Sequence, residues 1–208
     1  IASLKAFSKV KKKQVVASIK AIPFGIKQQK VQKIVNVSQD CLKILPFQKK
    51  NIHLIQTTYK NTRTKILDKT LEITKDRLSS CGINKIVEKK CSHEIKSISL
   101  QLKKSIDENA DIILIFGASA ICDINDVIPQ SIKNINGRIL RLGMPVEPGN
   151  LILLADIEIS KKHISIIGMP GCARSKKENG VDWILWRKLC ELKISSDDIN
   201  HMGNGGLL

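Results

Sequence analysis

The sequence predicts an α/β protein: a three-layer α/β/α arrangement around a mostly parallel sheet, preceded by a partial β-containing segment. Three observations predict it. Short apolar runs alternate with amphipathic stretches from residue 52 onward. One run, residues 111–116, is apolar after Asp111 without a break, as a strand covered on both faces must be. Glycine, proline and serine gather in the loops after those runs, where an open parallel sheet presents its ligand-binding edge.

The elements are taken in chain order. Residues 1–48 form the partial N-terminal segment, with strands expected over 15–22 and 42–47 and a short helix over 27–36. So short a stretch is too small to bury a core alone, and is read as the tail of a domain that packs on the rest of the chain. Pro46 and the Lys49-Lys50 pair mark a connector, which places the second domain at residues 49–208. There, a strand is expected over 52–57 and a helix over 64–80, where Leu67, Leu71 and Leu78 recur at helical spacing before Cys81-Gly82 stops it. A strand over 85–89 precedes a helix over 93–109 with Ile95, Ile98, Leu102 and Ile106 on one face. The buried strand 111–116 is followed by a helix over 126–136 and a strand over 137–143. Two strands, 151–157 and 163–168, flank a polar turn, and a helix over 178–192 turns Val181, Ile184, Leu185, Leu189 and Leu192 inward.

Composition narrows the class. The chain has 208 residues, 42% hydrophobic and 26% charged, which excludes collagen, low-complexity disorder and disulfide-stapled mini-proteins. The longest apolar stretch, residues 112–122, is far short of the ~20 that cross a bilayer, so no membrane partner is expected. Lysine and arginine total 35 against 19 acids, giving +16, but lysine supplies 29 of the 35. Lysine and isoleucine rising together is what an A/T-rich genome produces, so much of this charge is read as solvated lysine faces. The remainder favours an anionic ligand. Aromatic residues are only 3% and no nucleic-acid motif occurs, so nucleic acid is not the expected partner. None of the six cysteines forms a C-x-x-C pair, which leaves zinc-ribbon and thioredoxin readings without support and fits a reducing cytoplasm. Because the chain starts at Ile1, it is expected to be a piece of a longer protein.

Three loops fall where a ligand would sit. Phe116-Gly117-Ala118-Ser119-Ala120, with Asp123 and Asp126 after it, puts small residues beyond a buried strand, so that backbone N–H groups can face an anion. A tight turn with Asp126 as helix cap is the alternative. Gly168-Met169-Pro170-Gly171-Cys172-Ala173-Arg174-Ser175-Lys176-Lys177 sets cations ahead of a helix, against that helix's own dipole, and a bound anion would offset the mismatch. Cys172 has no obvious basic partner and is read as a small buried residue. Pro145-Val146-Glu147-Pro148-Gly149-Asn150 reads, taken alone, as a structural turn. Thr57 to Arg63 ends the first strand and either lines the site or is a plain loop. The four histidines show no H-x-x-x-H spacing, and Ser119 lacks a G-x-S-x-G elbow.

In this order the loops resemble the molybdopterin-binding domain shared by molybdopterin adenylyltransferases and molybdenum insertases. The Phe116–Ala120 loop stands where that family has Gly-Gly-Thr-Gly or Gly-Gly-Val-Ser. Met169-Pro170-Gly171-Cys172-Ala173 is similar to its Leu-Pro-Gly-Asn-Pro loop, and Glu147-Pro148-Gly149-Asn150 to its Lys-Pro-Gly-Lys turn. A closer likeness is to the domain that precedes molybdenum-cofactor cytidylyltransferase-type domains, through Phe-Gly-Ala-Ser-Ala at Phe116, Gly-Met-Pro-Val at Gly143, Pro-Gly-Cys-Ala-Arg-Ser at Pro170 and the Gly-Gly-Leu-Leu ending at Gly205. The departures are the single Gly117, Cys91-Ser92-His93-Glu94 in place of an acidic pair, and Glu147 and Asn150 in place of lysines.

The resemblance implies a molybdopterin-binding protein of molybdenum-cofactor biosynthesis that supports nucleotidyl transfer or metal insertion. Its alternative is a non-catalytic module that presents molybdopterin to a nucleotidyltransferase, fused or separate. It implies that Gly117, Ala118, Ser119, Ala120, Pro148, Gly149, Asn150, Pro170, Gly171, Cys172, Arg174, Ser175 and Lys176 hold the pterin and its phosphate. Asp123 and Asp126 would be both catalytic residues and ligands to magnesium, with a nucleotide as a further ligand. The oligomeric state is left open.

Overall fold

The structure is a computed structural model that describes residues 1–20 and 22–208. The chain divides into two compact units, Ile1–Pro46 and Phe47–Leu208. The second begins at Phe47 because that side chain packs on the core and the Gln48 N–H donates to the Leu189 carbonyl at 2.8 Å.

The first unit holds β1 (Ala2–Ser3) antiparallel to β2 (Ala17–Ser18), and helix α1 (Gln28–Ser38). The strand expected over 15–22 is therefore two residues long, and Ala21 within it lies outside the described residues. No strand forms over 42–47. Alternation alone does not make a strand: Val15, Ile19, Leu42 and Ile44 have no buried surface to face, and β1 offers only two residues to pair with.

The second unit is a six-stranded sheet ordered β4-β3-β5-β8-β7-β6. Its strands are β3 (Ile52–Thr58), β4 (Ile86–Ser92), β5 (Ile112–Phe116), β6 (Arg138–Leu142), β7 (Leu153–Ile159) and β8 (Lys162–Met169). β4, β3, β5 and β8 run parallel, while β7 is antiparallel to both β8 and β6. Helices cover both faces, so the mostly parallel three-layer α/β/α fold is the one observed. On β5 the period of two divides the core. Ile112, Leu114 and Phe116 join the cluster under α2 (Thr64–Ser79), α5 (Gly180–Leu189) and α6 (Ser196–His201), whereas Ile113 and Ile115 join that under α3 (Ile95–Asp107) and α4 (Val127–Lys133). Each such fully buried side chain contributes about 1.5–3 kcal/mol. Among the described residues, no helix is long and apolar enough to cross a membrane.

Two boundaries matter for the site. The expected helix start at His93 moves to Ile95, because β4 stays paired with β3 to Ser92 and the His93 N–H continues the ladder to the Thr58 carbonyl at 2.9 Å. The unforeseen α6 is started by a reciprocal cap: Ser195 accepts from the Asp198 N–H, and Asp198 accepts from the Ser195 N–H.

Candidate functional site

Parallel pairing brings the carboxyl ends of β3, β4, β5 and β8 to one rim, with Phe116 in register with Met169 and Thr58 with Ser92. Beyond β5 the backbone folds back so sharply that a Cβ on Gly117 would lie 2.4 Å from the Ser119 carbonyl oxygen, which excludes any larger residue without a shift. The next amide is not open to a ligand. The Ala118 N–H donates to Thr57 Oγ1 at 2.8 Å, so the expected row of phosphate-facing amides is reduced by one. Ser119 and Ala120 are exposed at the rim.

Beyond β8, Pro170 leads into a 3-10 turn, Gly171–Arg174. Arg174 reaches across to the β5 loop. Its Nη2 donates to the Gly117 carbonyl at 3.0 Å, its Nε donates to Thr70 Oγ1 at 3.2 Å, and its guanidinium lies 4.7 Å from the Phe116 ring centroid. Both hydrogen-bond partners are neutral. The charge is half-buried, burial lowers its pKa, and no carboxylate among the described residues pairs with it. The two sequence-predicted loops are thus joined by one uncompensated cation.

The same turn is clamped from behind. Arg77 of α2 donates to the Ser175 carbonyl at 2.8 Å and forms a buried ion pair with Asp182 of α5. Asp182 also accepts from the Asn179 N–H, and Asn179 Nδ2 contacts Cys172 Sγ at 3.2 Å; Cys172, expected to be buried, is exposed because it sits on the outside of the 3-10 turn. Lys176 is exposed and paired with Asp76 at 2.8 Å, which raises its pKa. An open cleft of about 710 Å³ lies beside the turn, lined by Lys65, Lys69, Arg174 and Lys176 against the acids Asp68 and Glu72.

The Pro148-Gly149-Asn150 turn lies one layer back. A Cβ on Gly149, whose φ is +134°, would meet the Gly180 nitrogen at 2.7 Å and Asn179 Oδ1 at 2.8 Å, and the Gly180 N–H donates to the Pro148 carbonyl. Glu147 exchanges backbone hydrogen bonds with Gly206 and Leu208. The Gly143–Asn150 and Gly205–Leu208 motifs therefore pack together against the start of α5.

Asp123 and Asp126 shape their own loop. Asp126 Oδ2 accepts from the Cys122 N–H at 2.7 Å and the Asp123 N–H at 2.9 Å, and Asp123 Oδ1 accepts from the Asn125 N–H at 2.7 Å. These amides, Asp123's first, hold the Asp126 carboxyl below its usual pKa. Asp126 makes no side-chain cap to α4, so it closes the turn before the helix instead. No group of three or more metal-ligating residues exists among the described residues. One oxygen of each carboxylate, Asp126 Oδ2 and Asp123 Oδ1, thus serves loop amides.

No family model matches the chain, and no curated protein matches it. A solved structure does. The tungsten cofactor synthesizing protein MoaB from Pyrococcus furiosus superposes with a TM-score of 0.45 at 13% identity, over 67% of this chain and 91% of that one.

The rim also holds residues that the motifs did not single out. Thr57, buried at the end of β3, lies 2.7 Å from His93 Nδ1, and His93 Nε2 lies 3.1 Å from Ser119 Oγ. His93 is buried and Tyr59 packs edge-on against it at 5.2 Å. Burial lowers its pKa, while the Asp126 charge acts in the opposite sense. Its signal in the sequence was a departure: Cys91-Ser92-His93-Glu94 where the resembled family has an acidic pair.

Proposed function

We propose that the rim binds the phosphate and pterin of a molybdopterin-type ligand, and that the protein serves molybdenum-cofactor biosynthesis. The observation that carries this reading is Arg174, a half-buried cation without a carboxylate partner that ties together the two loops whose sequences resemble that family. A charge withdrawn from water calls for a counter-charge, and a phosphate supplies it. Gly171, where a Cβ would meet nothing closer than Arg174 Nη1 at 3.8 Å, and the exposed Ser119 and Ala120 leave room at the rim for a ligand to approach.

A domain of this kind serves either by supporting nucleotidyl transfer or metal insertion itself, or by presenting molybdopterin to a fused or separate nucleotidyltransferase. Presentation is the reading we favour, since no group of three or more metal-ligating side chains gathers at the rim among the described residues to hold magnesium for transfer. The test is anaerobic titration with molybdopterin. Saturable binding is expected, weakened about 10- to 100-fold in Arg174→Leu, as for loss of charge-assisted hydrogen bonds. Asp126→Asn, which keeps an acceptor for the loop amides, retains binding, and no nucleotide turns over. Absence of saturable binding, or an Arg174→Leu titration that matches wild type, overturns the reading. Magnesium-dependent turnover lost in Asp126→Asn restores the catalytic one.

A further inference from the structure

Four contacts meet at Thr57 and His93. Thr57 Oγ1 receives the Ala118 N–H at 2.8 Å, faces His93 Nδ1 at 2.7 Å and lies 3.4 Å from the Phe116 carbonyl, and His93 Nε2 faces Ser119 Oγ at 3.1 Å. A hydroxyl has one proton to give and two lone pairs. If Thr57 gave its proton to Nδ1, the Phe116 carbonyl would lose its bond from Thr57. If instead Nδ1–H donates to Thr57, every contact is a hydrogen bond: Thr57 accepts from Ala118 and His93 and donates to Phe116. That assignment leaves Nε2 with a lone pair and makes Ser119 the donor to it.

We infer that Ser119, His93 and Thr57 form a nucleophile–base–orienter relay that makes the exposed Ser119 hydroxyl attack phosphoryl esters. The arrangement has the parts such chemistry needs: a nucleophile in hydrogen-bond reach of an imidazole, and a third group that fixes the ring's tautomer. The third group is a neutral threonine rather than a carboxylate. Its orientation is fixed in turn by the Ala118 amide, so the loop that carries the nucleophile also holds the orienter. Phosphoryl esters are the favoured class because the guanidinium bonded to this loop, at Gly117, suits the charge on non-bridging phosphoryl oxygens. In the step, Ser119 Oγ bonds to phosphorus, the bond from phosphorus to its leaving group breaks, and the Ser119 proton passes to His93 Nε2 while Nδ1–H stays on Thr57. His93 then returns that proton to the departing group.

The test is covalent labelling with diisopropyl fluorophosphate, read by intact mass and peptide mapping. Serine oxygen displaces fluoride, the proton leaves through His93, and one diisopropylphosphoryl group is expected on Ser119. Ser119→Ala, an exposed position, removes the label. His93→Gly slows labelling about 100-fold or more, as loss of a general base does, and added imidazole restores it, which a purely structural role for the ring would not allow. Thr57→Val slows it about tenfold, as for one orienting hydrogen bond, and Thr57→Ser keeps the wild-type rate. No label on wild type, a label elsewhere, a rate unchanged in His93→Gly, or a slowed His93→Gly that imidazole does not restore overturns the inference. The probe is neutral and used without pterin, so this result and the molybdopterin titration fail or succeed separately.

Discussion

The sheet carries a buried histidine at each end, and the two differ in what their ring nitrogens meet. His53, the second residue of β3, is fully buried with neither ring nitrogen hydrogen-bonded, its Nδ1 lying 3.9 Å from Glu108 Oε2. His93, just past β4 at the opposite end, has both nitrogens hydrogen-bonded, and its partners reach on to the β5 loop. Burial pushes the pKa of both below the ordinary 6.5. At the foot, that burial is a plain cost of packing. At the rim, the same cost is offset by a network that includes an exposed hydroxyl. Polar groups hydrogen-bonded to one another at the strand-end rim differ in kind from a ring without a hydrogen bond at the foot.

Three substitutions break or sharpen this contrast. The largest effect is expected at the rim, in Asp182→Ala. It leaves Arg77 buried without its partner and frees the clamp on the Ser175 carbonyl, so thermal unfolding should show a loss of about 3–5 kcal/mol. Gly117→Ala comes next. Its new methyl meets the Ser119 carbonyl at 2.4 Å and Ile128 Cδ1 at 3.0 Å, and overpacking of this kind costs about 1–3 kcal/mol. It should also shift the His93 ring resonances in an NMR spectrum, since Ser119 moves. The smallest effect is at the foot. His53→Leu removes two unsatisfied nitrogens, so denaturant unfolding at pH 7 should show it neutral or slightly stabilised.

The same foot variant has a pH signature. With its folded pKa below 6.5, His53 stays neutral in the folded protein while the unfolded chain takes up the proton, so stability falls as pH drops through 6.5 and levels off below the folded value. His53→Leu flattens that fall when unfolding is followed between pH 7 and 5. The part that persists belongs to His93, whose shift has the same sign.

The alternation of the second unit was legible in the chain because β5, α2 and α3 carry unbroken apolar periods, and period is what sets burial. Leu42 and Ile44 are residues of the same types, yet they stay exposed, which no local pattern discloses. At the site, the Gly117 and Pro170 loops were readable from small residues after buried strands, and Arg174 from a cation placed against a helix dipole. His93 was not. Its function depends on Thr57, 36 residues away, and Ser119, 26 away in the other direction, and such a meeting is set by strand order rather than by spacing. The Pro148 motif was conspicuous, but its packing was not: Gly149 lies so close to Asn179 and Gly180 that a Cβ there would clash with both.

The two outer strands show where part of the lysine surplus is used. β4 bears Glu88, Lys89 and Lys90, with Lys89 paired to Glu108, and β6 bears Arg138 and Arg141 about a register break at Ile139/Arg141. Unpaired strand borders invite other chains to add on, and charged side chains with an irregular ladder are what discourage it. Some of the protein's basicity therefore guards against self-association into extended sheets, and neutralising Lys89 and Lys90 together would expose a template for aggregation.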